Sequence, residues 1–142
     1  MRQITGKAGF FNYSQVDDHA VAQIEEYDIV TPSAKQKVIN LSGGNQQKCM
    51  IAMWMGIQPK VVIFDEPTRG VDVGARFEIY QKIRELTAEG VGILMISSEL
   101  PEFIGLCDRI LVMHQGRITG EVPVEEFSEE LIMTYAAGIE SE

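Results

Sequence analysis

Apolar positions are spaced in two different ways along the chain, and the change falls near residue 58. Ahead of it the spacing is helical. Val16, Ala20, Ile24 and Tyr27 recur every three or four residues, which puts them on one helical face. Ser14 with Asp17 three residues later supplies a capping arrangement, so a helix is predicted from about Gln15 to Asp28. Thr31 and Pro32 break that pattern, and a polar stretch runs through Lys37. Leu41, Ser42, Gly43 and Gly44 then open a second helix that extends to about Met55.

After Lys60 the pattern becomes one of strands alternating with helices. Val61, Val62, Ile63 and Phe64 form a continuous apolar run closed by Asp65, Glu66 and Pro67, as expected of a strand buried on both faces. Ile79, Ile83 and Leu86 mark the inner face of a helix from about Val73 to Ala88, stopped by Gly90. Val91 to Ser97 reads as a second buried strand. A short helix with Pro101 in its first turn and a third strand, Arg109 to His114, follow. Gln115 and Gly116 make a tight turn into a shorter strand, Arg117 to Val122, and a last helix spans roughly Ser128 to Ala137 before Gly138. This alternation implies an α/β fold with a mainly parallel sheet covered on both sides.

Composition narrows the function. The 142 residues are 45% apolar, enough for a buried core of single-domain size. There are 21 acids against 12 bases, a net charge of -9. Such a balance repels phosphate backbones and disfavours nucleic-acid binding. No apolar run approaches the roughly 20 residues of a membrane span, and no signal-peptide core is present, so a cytoplasmic location is expected. Cys49 and Cys107 lack metal-site spacing and read as packed thiols, while His19 and His114 stand apart from other ligand types.

Two segments carry chemistry. In LSGGNQQ, Leu41 to Gln47, two glycines and a hydroxyl stand at a helix start, where unpaired N–H groups and the positive end of the helix dipole attract anions. By itself the same segment is equally a capping serine and a turn. In VVIFDEPT, Val61 to Thr68, a strand delivers Asp65 and Glu66 at its C-terminal end, where open parallel sheets bind ligands. An isolated acidic pair is more commonly a solvated turn.

Together the two segments are far more specific. LSGGNQQ resembles the signature motif of the ABC ATPases and VVIFDEPT their Walker B strand, 23 residues apart from Ser42 to Asp65. Asp72 in TRGVD matches the D-loop aspartate, and Ile96 to Glu99 falls where the switch loop belongs. The wording LSGGNQQK, FDEPTRGVDVGA, EIY, ISSELPE and DRILVMHQGRITGE resembles the second nucleotide-binding domain of importers for ribose, galactose, arabinose or xylose. On that resemblance the fold is a partial RecA-like core, with residues 1–58 part of the helical signature subdomain and 59–142 the C-terminal half of the ATPase core.

The resemblance also implies roles. Asp65 would hold magnesium through water, and Glu66 would polarise the water that attacks the γ-phosphate. Ser42, Gly43 and Gly44 would reach the γ-phosphate of ATP on an opposing ATPase domain, with Asn45 and Gln46 as secondary nucleotide-binding candidates. Asp72 would couple the two sites. Implied partners are that opposing domain, membrane permease subunits on the inner face of the bacterial plasma membrane and, indirectly, a periplasmic sugar-binding protein.

Three departures qualify this. No G-x-x-x-x-G-K-[ST] phosphate loop exists, and the nearest candidate, Gly6-Lys7, is followed by Ala8. The chain alone is therefore expected to be inactive. Ser98 stands where most ABC ATPases carry a histidine, and a serine cannot supply an imidazole's charge or strong donor, so hydrolysis at its own site should be weak. The family's phosphate-loop strand would lie between the strands ending at Ser97 and starting near Arg109. Without it the sheet must close the gap, leave an open edge or be incompletely ordered, which makes self-association an expectation. The alternative is a non-catalytic interaction module on the same scaffold. A DNA-repair or translation ATPase is disfavoured by the acidic balance.

Overall fold

A computed structural model describes residues 13–139, so the Gly6-Lys7 segment lies outside the described residues. The chain divides into two units, Met1–Ile96 and Ser97–Glu142.

In the first unit, α1 (Tyr13–Glu26) leads through a single 3-10 turn (Val38–Asn40) to α2 (Gly43–Met55), β1 (Val61–Asp65), α3 (Val73–Ala88) and β2 (Gly92–Ile96). The apolar stripe of α1 is half-buried at Val16, Ala20 and Ile24 and buried at Tyr27, as its spacing predicts. Ser14 lies inside the helix, which already includes Tyr13, so it does not cap α1. The helix ends two residues earlier than expected. Asp28 adopts φ +49°, and the N–H of Ile29 reaches back to the Ile24 carbonyl at 2.9 Å, a left-handed stop that an Asp tolerates.

Two lysines then close the C-terminal end of α1. Lys48 of α2 donates to the Asp28 carbonyl at 2.9 Å and pairs with Glu78 of α3 at 2.7 Å. Lys82 of α3 donates to the Glu26 carbonyl at 2.9 Å and lies 4.5 Å from the centre of the Tyr27 ring. Cations at a helix C-terminus meet its orphan carbonyls and its negative dipole end. A lysine as buried as Lys48 is tolerated because it is both paired and hydrogen-bonded.

β1 and β2 are parallel, pairing Val61 with Gly92 through Asp65 with Ile96. Side chains alternate across this pair. Val62, Phe64, Ile93 and Met95 face a core with Ile51 and Ala52 of α2 and Ile79, Ile83 and Leu86 of α3. The other face corrects the expectation of strands buried on both sides: Val61 and Ile63 are 65% and 63% exposed, and Leu94 and Ile96 both 48%. Helices α2 and α3 pack on one face only. A run of consecutive apolar residues reports the surroundings of a complete sheet, and here two strands and one layer of helices are described.

The second unit holds α4 (Leu100–Phe103), β3 (Arg109–His114), β4 (Arg117–Pro123), a 3-10 turn (Val124–Glu126) and α5 (Glu129–Ala136). β3 and β4 form an antiparallel hairpin. Its two loop residues, Gln115 and Gly116, both have positive φ, +47° and +77°, the pairing that a tight hairpin turn requires. Ile110, Val112, Val122 and Ile132 are its buried core. Among the described residues β2 pairs with β1 and β3 with β4, so the parallel pair keeps an open edge.

Candidate functional site

The segment Leu41 to Gln47 is built by capping and close packing. The Ser42 hydroxyl oxygen accepts from the Asn45 backbone N–H at 3.4 Å, making Ser42 the N-cap of α2. It also accepts from Asn45 Nδ2 at 2.8 Å. Asn45 Oδ1 in turn accepts the Val30 N–H at 2.7 Å, which ties the segment to the loop after α1. Gln46 donates from Nε2 to the Leu41 carbonyl at 2.9 Å. Ser42 and Gly43 are exposed, whereas Gly44 is buried.

Both glycines, Gly43 and Gly44, are held against the segment that follows β1. A Cβ on Gly43 would stand 3.3 Å from the Gly70 carbonyl oxygen, and one on Gly44 only 2.5 Å from the Ala75 Cβ. The latter distance is below any ordinary contact, so the approach of α2 to α3 requires glycine at 44. Asp72 caps α3, its Oδ1 accepting from the Ala75 N–H at 3.0 Å. Such a cap stabilises a helix by about 1 kcal/mol.

The carboxylates sit at the C-terminal end of β1. Asp65 is exposed and Glu66 half-buried. Glu66 donates its N–H to the Ile96 carbonyl at 2.9 Å, one residue beyond the paired strands. Its φ is +48°, a left-handed conformation that strains a residue with a Cβ and that concentrates at functional sites. The turn continues through Arg69 N–H to Glu66 carbonyl and Val71 N–H to Thr68 carbonyl, with Thr68 2% exposed. One continuous segment, Asp65 to Asp72, thus runs from the acids past Gly70, beside Gly43, to the start of α3, which packs on Gly44.

Ser98 belongs to the second unit, exposed ahead of α4. Its neighbour Ser97 donates to Glu102 Oε2 at 2.5 Å and accepts the Glu99 N–H at 3.0 Å, which folds the loop around a buried carboxylate.

The remaining sequence candidates are structural. His114 Nδ1 bonds the Ala136 carbonyl at 2.8 Å. Cys49 and Cys107 are free thiols, and burial pushes both pKa values up, with Asp108 adding to the effect at Cys107. Sequence reasoning missed the buried Lys48, the left-handed Glu66 and the Val30 link, none of which has a local sequence signal. Hollows of about 230 and 350 Å³ in the first unit include none of Ser42 to Gln46, Asp65, Glu66 or Asp72 in their walls.

Among the described residues no cluster of three or more His, Cys, Asp or Glu stands ready for a metal ion. One exposed carboxylate at a strand end suits magnesium, which retains most of its waters and binds mainly to substrate phosphates.

Comparison with solved structures defines the class. An ATP-binding cassette of an ABC transporter superposes on 88% of this chain and 49% of its own, with a TM-score of 0.74 and 27% identity. The ABC transporter family model matches residues 3–69. Over those residues the chain is similar to that family. Over most of its length it is similar to sugar-import ATP-binding proteins. The xylose import ATP-binding protein of Thermoanaerobacter pseudethanolicus is 53% identical over 132 residues, 93% of this chain. The ribose import ATP-binding protein of Oceanobacillus iheyensis is 52% identical over 130 residues, 92% of this chain. The chain spans 26% of the length of each. Among the described residues no helix is long and apolar enough to cross a membrane.

Proposed function

We propose that this chain supplies the signature motif, Walker B strand and D-loop of the second nucleotide-binding domain of an ABC ATPase that powers monosaccharide uptake. The observation that carries the reading is the packing of the signature glycines on the turn that starts at Asp65 and Glu66 and ends at Asp72. In this reading the signature and Walker B regions, packed on one another, face an opposing ATPase domain together. Residues 1–58 then serve as part of the helical subdomain and 59–142 as core. Permease subunits at the inner membrane face and a periplasmic sugar-binding protein complete the assembly.

In this mechanism the ATP is held by the opposing domain, and Ser42 with the N–H groups at the start of α2 donates to its γ-phosphate. Positioning and charge stabilisation of this kind supply most of the catalysis in phosphoryl transfer. At the chain's own site, Glu66 accepts a hydrogen bond from the water that attacks the γ-phosphorus as the bond to the ADP oxygen breaks. Asp65 would hold magnesium through its water shell, which would supply charge neutralisation to the phosphates. The resemblance puts Ser98 where most members carry a histidine, so the chain's own switch loop brings no charged donor. Turnover should therefore depend on Ser42 more than on Glu66. The test is ATP hydrolysis by the complete ATP-binding protein: Ser42→Arg is expected to cost more activity than Glu66→Gln. The reverse order would overturn the reading.

A further inference from the structure

The geometry points to Asn45 as a positioning residue that turns the Ser42 hydroxyl into a one-way donor and ties it to the loop after α1. The inference rests on the reading of Ser42 as a phosphate donor. A serine hydroxyl has one O–H and two acceptor lone pairs. Asn45 occupies the acceptor side of Ser42 twice, from Nδ2 at 2.8 Å and from its backbone N–H at 3.4 Å. The Ser42 hydrogen, on an exposed residue, has no acceptor among the described residues and is left to point outward.

The orientation of the Asn45 amide is not arbitrary. The Val30 N–H can only donate, and it meets the side chain at 2.7 Å, so the atom facing it is the carbonyl oxygen. The NH₂ group is then the one turned to Ser42. The result is a directional chain, Val30 N–H to Asn45 Oδ1, Asn45 Nδ2 to Ser42 Oγ, Ser42 O–H to an external acceptor. Each link polarises the next in the same sense. A phosphate oxygen, which only accepts, fits its end, and a donor group does not. Because Val30 lies 76% exposed in the loop between α1 and the 3-10 turn, displacement of that loop would release the Asn45 amide and with it the bias on Ser42.

A mutant cycle in the complete ATP-binding protein tests this. Ser42→Ala is expected to lower kcat about tenfold or more, as loss of a hydrogen bond to a charged group does. Asn45→Ala should lower it severalfold with KM for ATP little changed, and the double variant should be no slower than Ser42→Ala alone. Asn45→Asp keeps an acceptor for Val30 but has no N–H to give, so Val30 amide hydrogen exchange should stay slow while turnover falls. Full turnover in Ser42→Ala overturns the reading of Ser42 itself. A large Ser42→Ala effect that Asn45→Ala multiplies independently, or an Asn45→Asp protein at full turnover, overturns the role of Asn45 alone.

Discussion

Gly44 and Ala75 stand so close that a Cβ on the glycine would lie 2.5 Å from that of the alanine. The pair holds α2 against α3, the helix that Asp72 caps, and it gives the buried glycine a steric reason apart from any ligand. The exposed Gly43 is the one left to offer backbone outward.

Gly44→Ala is accordingly expected to destabilise the protein by about 1–3 kcal/mol, the usual cost of overpacking. Thermal unfolding measures it. An unchanged melting temperature would mean that α2 and α3 are not in this contact.

The left-handed backbone at Glu66, φ +48°, leads to a second expectation. Glu66→Gly and Glu66→Ala delete the same side-chain interactions but differ in the Cβ that a positive φ penalises. The glycine variant should be the more stable by about 1 kcal/mol in urea unfolding. Equal stabilities would remove strain from the description of this turn.

Tyr27 sets a pH dependence. Burial, aided by Glu26 and Glu89, pushes its pKa from 10.0 up to about 12. Below pH 10 the hydroxyl is protonated in both states, and the contribution to stability is fully present. As pH rises from 10 to 12 the unfolded chain loses the proton while the folded one keeps it, so stability falls, and the contribution is gone above the folded pKa. Comparing urea midpoints at either end of that window, Tyr27→Phe should lose less than the unmodified chain. Parallel losses in the two proteins would contradict this origin.

Much of this was legible from the sequence because local rules govern it. Gln115-Gly116 can form little other than a tight hairpin turn, and α3 follows from its apolar spacing and the stop at Gly90. The exposed face of β1 and β2 was not legible, since Val61 and Ile63 look identical to residues of a strand covered on both sides. The end of α1 was misplaced because its stop depends on Asp28 turning left-handed, under lysines 20 and 54 positions further on at Lys48 and Lys82. At the site, motif wording marks Ser42, Asp65 and Glu66, whereas the direction of the Asn45 amide is set by the Val30 backbone 15 residues earlier.

The most direct test of the central claim is a structure of the complete ATP-binding protein with a non-hydrolysable ATP analogue and magnesium. Ser42 Oγ is expected within hydrogen-bond distance of the γ-phosphate of a nucleotide held by the opposing domain, with its hydrogen directed at the phosphate and Asn45 behind it. A nucleotide-loaded structure in which Ser42 faces solvent, with no γ-phosphate beside α2, would contradict the account.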